Sequence, residues 1–429
     1  MATAALGTNW SGNYAYRAGV LHHPRTMGEL QELVSRGRAL RALGSRHSFT
    51  SIADGAELVA LDQMRGRIWF DGDAGTVSVP GSTTYAALAE VLNREGLALH
   101  NMASLPHISI AGAVATGTHG SGDRNGNLAT AVRSVQIVTP DGAERTLHIG
   151  NPWFEGFVVG LGALGIVTRV TLAVEPFYEV RQRVFKGVTW ETLFGHLDEI
   201  FAAGDSVSVF HLCGATTEQV WVKRRVHDGA VEGSGAGSRD GDLEELLGVR
   251  AATTDLHPVL GGDPVNCTPQ RGVPGPWSER LPHFRSGFLP SSGEELQSEF
   301  FVARPDAVPA IEAVRGLAQE IVPLLLISEL RTIAGDSLWL SPHQGRDSLA
   351  LHFTWRRRPA EVERVVARIE AALEPFHARA HWGKVFTARA GAIAPLYPRM
   401  ADFRGLRERL DSEGTFVNDW LREKVLASA

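Results

Sequence analysis

The stretch ISIAGAVATGTHGSG, residues 108–122, decides how the chain reads. Its side chains are too small to fill a core, and no helical periodicity runs through it. Such a segment predicts close approach of backbone to something bulky. Within it, Thr116-Gly117-Thr118-His119-Gly120-Ser121-Gly122 offers amides and hydroxyls without bulk; taken alone it is also an ordinary flexible loop. A second stretch of this kind, Gly44-Ser45-Arg46-His47-Ser48-Phe49, follows a short strand over 39–43. A glycine turn after a strand suits a diphosphate held by backbone amides. On its own, the same turn is equally a plain one with a surface histidine. Two such loops in one N-terminal half favour a nucleotide-like ligand more than either does separately.

Around these loops the first third alternates strand and helix signals. Thr26 to Glu29 is a capping box, and Leu30, Leu33 and Val34 continue a helix to Gly37, read as a left-handed stop. Two strand-like runs flank the Gly/Asp turn in IWFDGDAGTVSVP, residues 68–80, a hairpin pattern. Ser82 to Thr84 cap a helix that runs through Asn93 and closes at Gly96. Gly160 to Gly165, GLGALG, matches the dinucleotide fingerprint G-x-G-x-x-G. That fingerprint needs a helix after it and an acid about 20 residues on. Here a strand, IVTRVTLAV, follows and Glu175 comes too early, so a nicotinamide Rossmann site is not expected.

From about residue 180 the texture changes to longer strands and helices. Residues 226–242 are glycine-rich and charged and read as a mobile surface loop. Residues 262–290 are proline-rich and read as an irregular connection. Residues 307–322 form a helical pattern, 324–333 and 348–356 two strands, and 359–376 an amphipathic helix with proline in its first turn. Glu329 and Arg331 are two apart on one strand, His352 and Thr354 on the next, so each pair shares a face. Two polar pairs can line a wet pocket for hydroxyl groups; routine pairs on a solvated sheet face give the same pattern. The chain has four lysines, Lys186, Lys223, Lys384 and Lys424, among 42 basic residues. One of them sits in His381-Trp382-Gly383-Lys384, where a surface position is the plain alternative.

Composition bounds the rest. The 429 residues are 44% hydrophobic and 21% charged, a globular balance that implies two domains. No apolar run reaches the roughly 18 residues of a membrane span, and the N-terminus lacks the pattern of a secretory signal. Cys213 and Cys267 have no metal or redox spacing, which fits a reduced, cytoplasmic location. A net charge of −6 and the absence of a basic patch argue against nucleic acid. No internal repeat is evident.

In the order GSRHSF, SLPHISIAGAVATGTHGSG, LGALGIVT and HWGK, these motifs resemble the vanillyl-alcohol oxidase superfamily of flavoproteins, and most closely its sugar-alcohol branch, relatives of the aldonolactone oxidases. The resemblance spans essentially the whole chain. It implies an α+β fold of two domains: an FAD-binding domain over 1–178, joined by 385–429, and a substrate domain with a large antiparallel sheet over 179–384. It implies FAD bonded covalently to His47, with Ala42, Leu43, Gly44, Ser45, Arg46 and Ser48 around the diphosphate. Ser104 would lie beside the flavin ring. Ser109, Gly112, Thr116, Gly117, Thr118 and His119 would hold the rest of the cofactor, and Val167 its far side. Gln297, Glu329, Arg331, His352, Thr354 and Lys384, with Ser104, match positions that line the polyol pocket. Ala103 matches the position held to govern oxygen access. The 226–242 segment is an insertion relative to compact members.

The activity so implied is oxidation of the terminal hydroxyl of an alditol such as xylitol or sorbitol to the aldose, by hydride transfer to flavin N5 and reduction of oxygen to hydrogen peroxide. No metal, nucleic acid or membrane takes part, and a monomer is expected. Arg331 and Lys384 are the candidates for stabilising the developing alkoxide. His352 is the candidate base, on the ground of a near-neutral pKa, and Glu329 would orient Arg331. Gln297, Thr354 and Ser104 would bind remaining hydroxyls. The alternatives are an aldonolactone oxidase or dehydrogenase of the same fold, a flavin-free carbohydrate-binding protein, and, more remotely, a nicotinamide dehydrogenase.

Overall fold

Alternating patterns in the first third build two small sheets. In this computed structural model, which describes residues 6–37, 39–226, 239–287 and 295–427, β1 (Val20–His22), β2 (Leu40–Ala42) and β3 (Glu57–Val59) form a parallel sheet with β3 central. The hairpin of β4 (Trp69–Asp71) and β5 (Thr76–Pro80) forms as its sequence predicts. After the short β6 (Leu97–Ala98) come β7 (Val132–Val138), β8 (Glu144–His148) and β9 (Ile166–Ala173). Strands β4, β5, β9, β7 and β8 lie in that order in a five-stranded sheet. Along β9 every second residue is buried, the signature of one face on the core. The short β10 (Glu175–Pro176) pairs with β6.

The helix Met27–Arg36 is capped by the Thr26 hydroxyl, which accepts from the Glu29 amide at 3.2 Å. Gly37 departs from expectation: its φ of −73° is not left-handed. Crowding requires glycine there instead, since a Cβ would come within 2.1 Å of Leu40. Residues 108–122 also contain a short helix, Ile110–Ala115, which the small side chains had masked in a search for apolar periodicity.

The second half forms one eight-stranded sheet. Its strands are β11 (Glu179–Lys186), β12 (Ser206–His211), β13 (Gln219–Arg225), β14 (Gly275–Pro276), β15 (Glu295–Ala303), β16 (Leu325–Ile333), β17 (Ser348–Arg356) and β18 (Arg379–Ala380). They run in the order β14-β11-β13-β12-β16-β17-β15-β18. The helices Ala307–Arg315 and Pro359–Leu373 pack on β15 and on each other. On the helix-facing side Phe353 stacks on Trp355 at 5.1 Å, and Trp355 Nε1 donates to Ser298 Oγ at 2.8 Å. The pattern at 307–322 breaks into two helices, Ala307–Arg315 and Ala318–Ile321, around Gly316. Of the stretch read as a loop at 226–242, residues 227–238 lie outside the described residues, and Arg239–Leu247 is helical, which corrects that reading at its end.

The C-terminal segment returns to the N-terminal part. Asn418 Nδ2 donates to the carbonyls of Ser51, Ile52 and Asp54 at 3.1, 3.1 and 2.7 Å. Arg41, buried on β2, donates to the carbonyls of Gly162, Leu161, Ile52 and Phe416 at 2.6–2.9 Å. One guanidinium thereby ties the GLGALG turn and the chain's end to the strand that leads into GSRHSF. In that turn Leu161 and Gly162 take positive φ of 53° and 65°, and β9 follows, so no dinucleotide-binding helix forms there.

Candidate active site

Both glycine loops open on one cavity of about 1060 Å³ between the small sheets and the large one. The residues of 42–48 line it, together with Ala103, Ser104, Ser109, Gly112, Thr116, Thr118, His119 and Val167. Gly117 does not line it. With φ of +64°, Gly117 makes the turn, and a Cβ there would meet Pro342 at 3.1 Å. The two loops fit face to face: the Ser109 amide donates to Ser45 Oγ at 2.9 Å. A Cβ on Gly44 would lie 2.5 Å from Ser109 Oγ, and one on Gly112 2.8 Å from it. The glycines therefore keep bare backbone at the cavity wall.

His47 stands at the junction. The Arg46 carbonyl accepts from the Trp10 amide, and the Phe49 amide donates to the Gly383 carbonyl, each at 2.8 Å. The His47 ring stacks on Trp10 at 5.3 Å. Its Nδ1 is buried without a hydrogen-bond partner. Burial pushes the imidazole down to about 4, so the ring is neutral and its lone pair available. Arg46, in contrast, spends its guanidinium on the Leu6 carbonyl at 2.9 Å and on the face of Tyr16.

The opposite wall is the face of the large sheet not covered by helices. Strand alternation puts Gln297 and Glu299 of β15, Thr354 and His352 of β17, and Glu329 and Arg331 of β16 on it. Glu299 lies opposite His352, and His352 opposite Glu329; Gln297 lies opposite Thr354. All six line the cavity, as does Lys384. The solvated-face alternative is thus excluded, since Glu329, Arg331, His352 and Thr354 are buried. Lys384 is no surface residue either, with 14% of its side chain exposed.

Glu299, which the sequence reading missed, is the centre of this wall. Its Oε1 accepts from Arg331 Nη2 at 2.6 Å and its Oε2 from Lys384 Nζ at 2.7 Å. His119 Nε2 lies 3.2 Å from the same Oε2. His119 is therefore engaged with Glu299, and its Nδ1 with the Gly120 carbonyl at 2.8 Å. The signal was available: Glu299 follows Gln297 by two, as Arg331 follows Glu329. Burial opposes charge on Glu299, but Lys384, His119 and Arg331 together hold it well below the usual carboxylate range. Glu329 is likewise held down, against burial, by Arg331 and His283. Arg331 is raised, its two carboxylates outweighing burial.

Lys384 Nζ also donates to His352 Nδ1 at 2.8 Å, and His352 Nε2 lies 3.1 Å from Thr354 Oγ1. Arg331 Nη1 points at Ser104 Oγ, 3.4 Å away. The ground for expecting His352 to act as a base, a near-neutral pKa, does not hold. Burial and then Lys384 push it well below its ordinary value. Burial also lowers Lys384, against Glu299. What the wall presents is a set of fixed donors and cations, compensated by two carboxylates of the same wall, facing a cavity that begins at His47. Among the described residues no cluster of histidine, cysteine or acidic side chains could hold a metal ion. Nor is any helix among them long and apolar enough to cross a membrane.

Comparison with known proteins agrees with this geometry. Residues 19–148 match an FAD binding domain family, and residues 298–424 a D-arabinono-1,4-lactone oxidase family. The chain is 47% identical over 435 residues to an alditol oxidase of Streptomyces sp., covering 99% of each. It is 27% identical to an L-gulono-1,4-lactone dehydrogenase of Mycobacterium tuberculosis, over 97% of this chain and 98% of that protein. In fold it resembles the cholesterol oxidase of B. sterolicum, with a TM-score of 0.75 at 15% identity, covering 98% of this chain and 96% of that one.

Proposed function

Because the chain belongs to the alditol oxidase family of FAD-dependent flavoproteins, we propose that it oxidises the terminal hydroxyl of an alditol to the aldose with oxygen as acceptor. The observation that carries this reading is the convergence of Arg331, Lys384, His352, Thr354 and Gln297 on one cavity wall opposite the loop of His47. We take 1–178 with 385–429 as the FAD-binding part and 179–384 as the substrate part. The return of Asn418 and Phe416 to the first part supports that division.

The residues present fit FAD. Glycines at 44 and 112 let the two loops close on Ser109 while their backbone lines the cavity. The buried, unpartnered and neutral Nδ1 of His47 is suited to bond the flavin's 8α-methyl carbon, and we assign the covalent link to it. When bound, FAD supplies the acceptor for the hydride and passes the electrons to oxygen. The protein's part is to fix the alditol and manage its proton. Gln297, Thr354 and Ser104 bind hydroxyls along the chain, so a deoxy substrate leaves buried groups unmet. Arg331 and Lys384 stabilise negative charge on the terminal oxygen as its proton leaves. Lys384 and His352, 2.8 Å apart, titrate as a unit. Glu299 holds both cations in place within the same wall.

A second reading, an aldonolactone substrate, is favoured by the match of residues 298–424 to the lactone oxidase family. Anaerobic flavin reduction by xylitol and sorbitol beside a gulonolactone separates the two. Faster reduction by the alditols is expected, and reduction by the lactone alone would replace the proposal. Oxygen uptake with peroxide release tests the acceptor. Precipitation with acid tests the linkage: yellow colour stays with the pellet if FAD is covalent. The free thiols Cys213 and Cys267 are compatible with a cytoplasmic protein, and we take it as a monomer, which size-exclusion chromatography with light scattering checks.

A further inference from the structure

On the same face of the sheet as Glu329, two strands away, lies a buried lysine that the mechanism above does not use. Lys223, on β13, is 1% exposed and does not line the cavity. Its ammonium has three N–H groups and meets three acceptors: the carbonyls of Leu281 and Pro282, the latter at 3.2 Å, and His283 Nδ1 at 3.1 Å. Glu329, Cys267 and Arg331 are the other titratable groups that face it. A compact ammonium with three rotatable donors suits this arrangement, and a planar guanidinium does not. That accounts for a lysine in a chain whose basic residues are overwhelmingly arginine.

An ammonium cannot accept, so His283 must offer it the lone pair of Nδ1. The neutral ring then carries its proton on Nε2, which lies 2.8 Å from Glu329 Oε1. Edge-on contacts from Trp221 at 5.2 Å and Phe210 at 5.5 Å hold the ring plane. The far oxygen of Glu329 is 3.6 Å from Arg331 Nε. With the proton on Nδ1 instead, a lone pair would face the carboxylate at 2.8 Å, and Glu329 would turn away or take up a proton.

We infer that Lys223 is a positioning residue for the reaction: through His283 it locks the tautomer that donates to Glu329, and so holds the Glu329–Arg331 pair against the reacting hydroxyl. The chain of contacts runs Lys223, His283, Glu329, Arg331 and Ser104, along one face of the sheet into the cavity. The inference rests on the reading of Glu329 and Arg331 as substrate-facing groups, but the ring state of His283 is measurable without turnover.

The experiment is nitrogen NMR of the flavin-loaded full chain with labelled histidine, His283 being assigned by the signal lost in His283→Gln. At about pH 6, below the value of about 7 to which burial pushes Lys223, a neutral ring with Nε2 protonated is expected. In Lys223→Met the His283 pKa should rise by at least about one unit, since a neighbouring cation is gone and Glu329 remains. Flavin reduction by alditol in that variant should slow about tenfold, on the scale of one misplaced positioning group. An Nδ1-protonated ring in the wild type, or an unchanged His283 pKa in Lys223→Met, overturns the inference. If Lys223→Met does not fold, the wild-type tautomer alone decides. Failure of the functional reading shows differently, as an intact tautomer in a protein whose flavin no alditol reduces.

Discussion

Lys384 Nζ lies 2.7 Å from the carboxylate of Glu299, whose side chain is fully buried in the cavity wall. The same carboxylate is 2.6 Å from Arg331. One acid thus compensates both cations of the cavity wall.

Removing that charge should be costly. Glu299→Gln leaves two cations without their shared partner, and breaking a buried pair on one side costs about 3–5 kcal/mol. A lower melting temperature is expected, together with slowed flavin reduction. Unchanged melting would mean that Lys384 and Arg331 find compensation elsewhere.

Lys384→Ala and Arg331→Ala remove the cations themselves. Each should retain bound flavin, since neither side chain hydrogen-bonds to the 42–48 loop, yet lower the rate of flavin reduction by at least about 100-fold, the scale of one charge-stabilising group. Stopped-flow reduction under anaerobic conditions reads this directly. Normal reduction in both variants would remove them from the mechanism.

His47→Ala should give protein from which FAD is released by acid or denaturant, because the only nitrogen assigned to the linkage is gone. Absorbance of the supernatant after precipitation measures it. Flavin still attached in that variant places the bond elsewhere.

The fit of the two loops predicts a steric effect at Gly44. An added Cβ would sit 2.5 Å from Ser109 Oγ, closer than contact allows. Gly44→Ala should lower the flavin-to-protein ratio by at least about a factor of two, by driving the loops apart where bare backbone is needed. Adding Ser109→Ala relieves the contact, so the double variant should recover part of the flavin. The visible spectrum against total protein decides.

Acid should destabilise the fold from two sides. Burial, followed by Lys223, holds His283 down to about 4 in the folded protein. The unfolded chain therefore takes up the proton first, and stability present above about 6.5 is lost as pH falls toward about 4. Glu299 and Glu329 are depressed below the usual carboxylate range. Their contribution is present above their unfolded values and is lost as pH falls further, through the folded ones. Thermal melts should fall steadily from about pH 6.5 downward; a flat profile between about pH 6.5 and pH 4 would count against the His283 assignment, and a flat one below about pH 4 against the two carboxylates.

The sequence alone carried the local features of this protein. Chemistry that resides in a short run of backbone is legible there: the glycine turn at 117, the Thr26 cap, the β4–β5 hairpin, and the two-residue spacing that put Glu329 with Arg331 and His352 with Thr354. The strand after Gly165 sufficed to reject a dinucleotide-binding helix. What only tertiary structure decided was burial and partnership. The same spacing marked Glu299, but nothing local told a buried carboxylate from a solvated one, because its partners Lys384, Arg331 and His119 come from distant segments. His352 read as a near-neutral base until the fold buried it beside an ammonium, and that environment, not its residue type, sets its proton affinity. Gly37 read as a turn residue, whereas the fold requires it for contact with Leu40. Backbone conformation is chosen over a few residues, but the charge state of a side chain is chosen by everything within reach of its field.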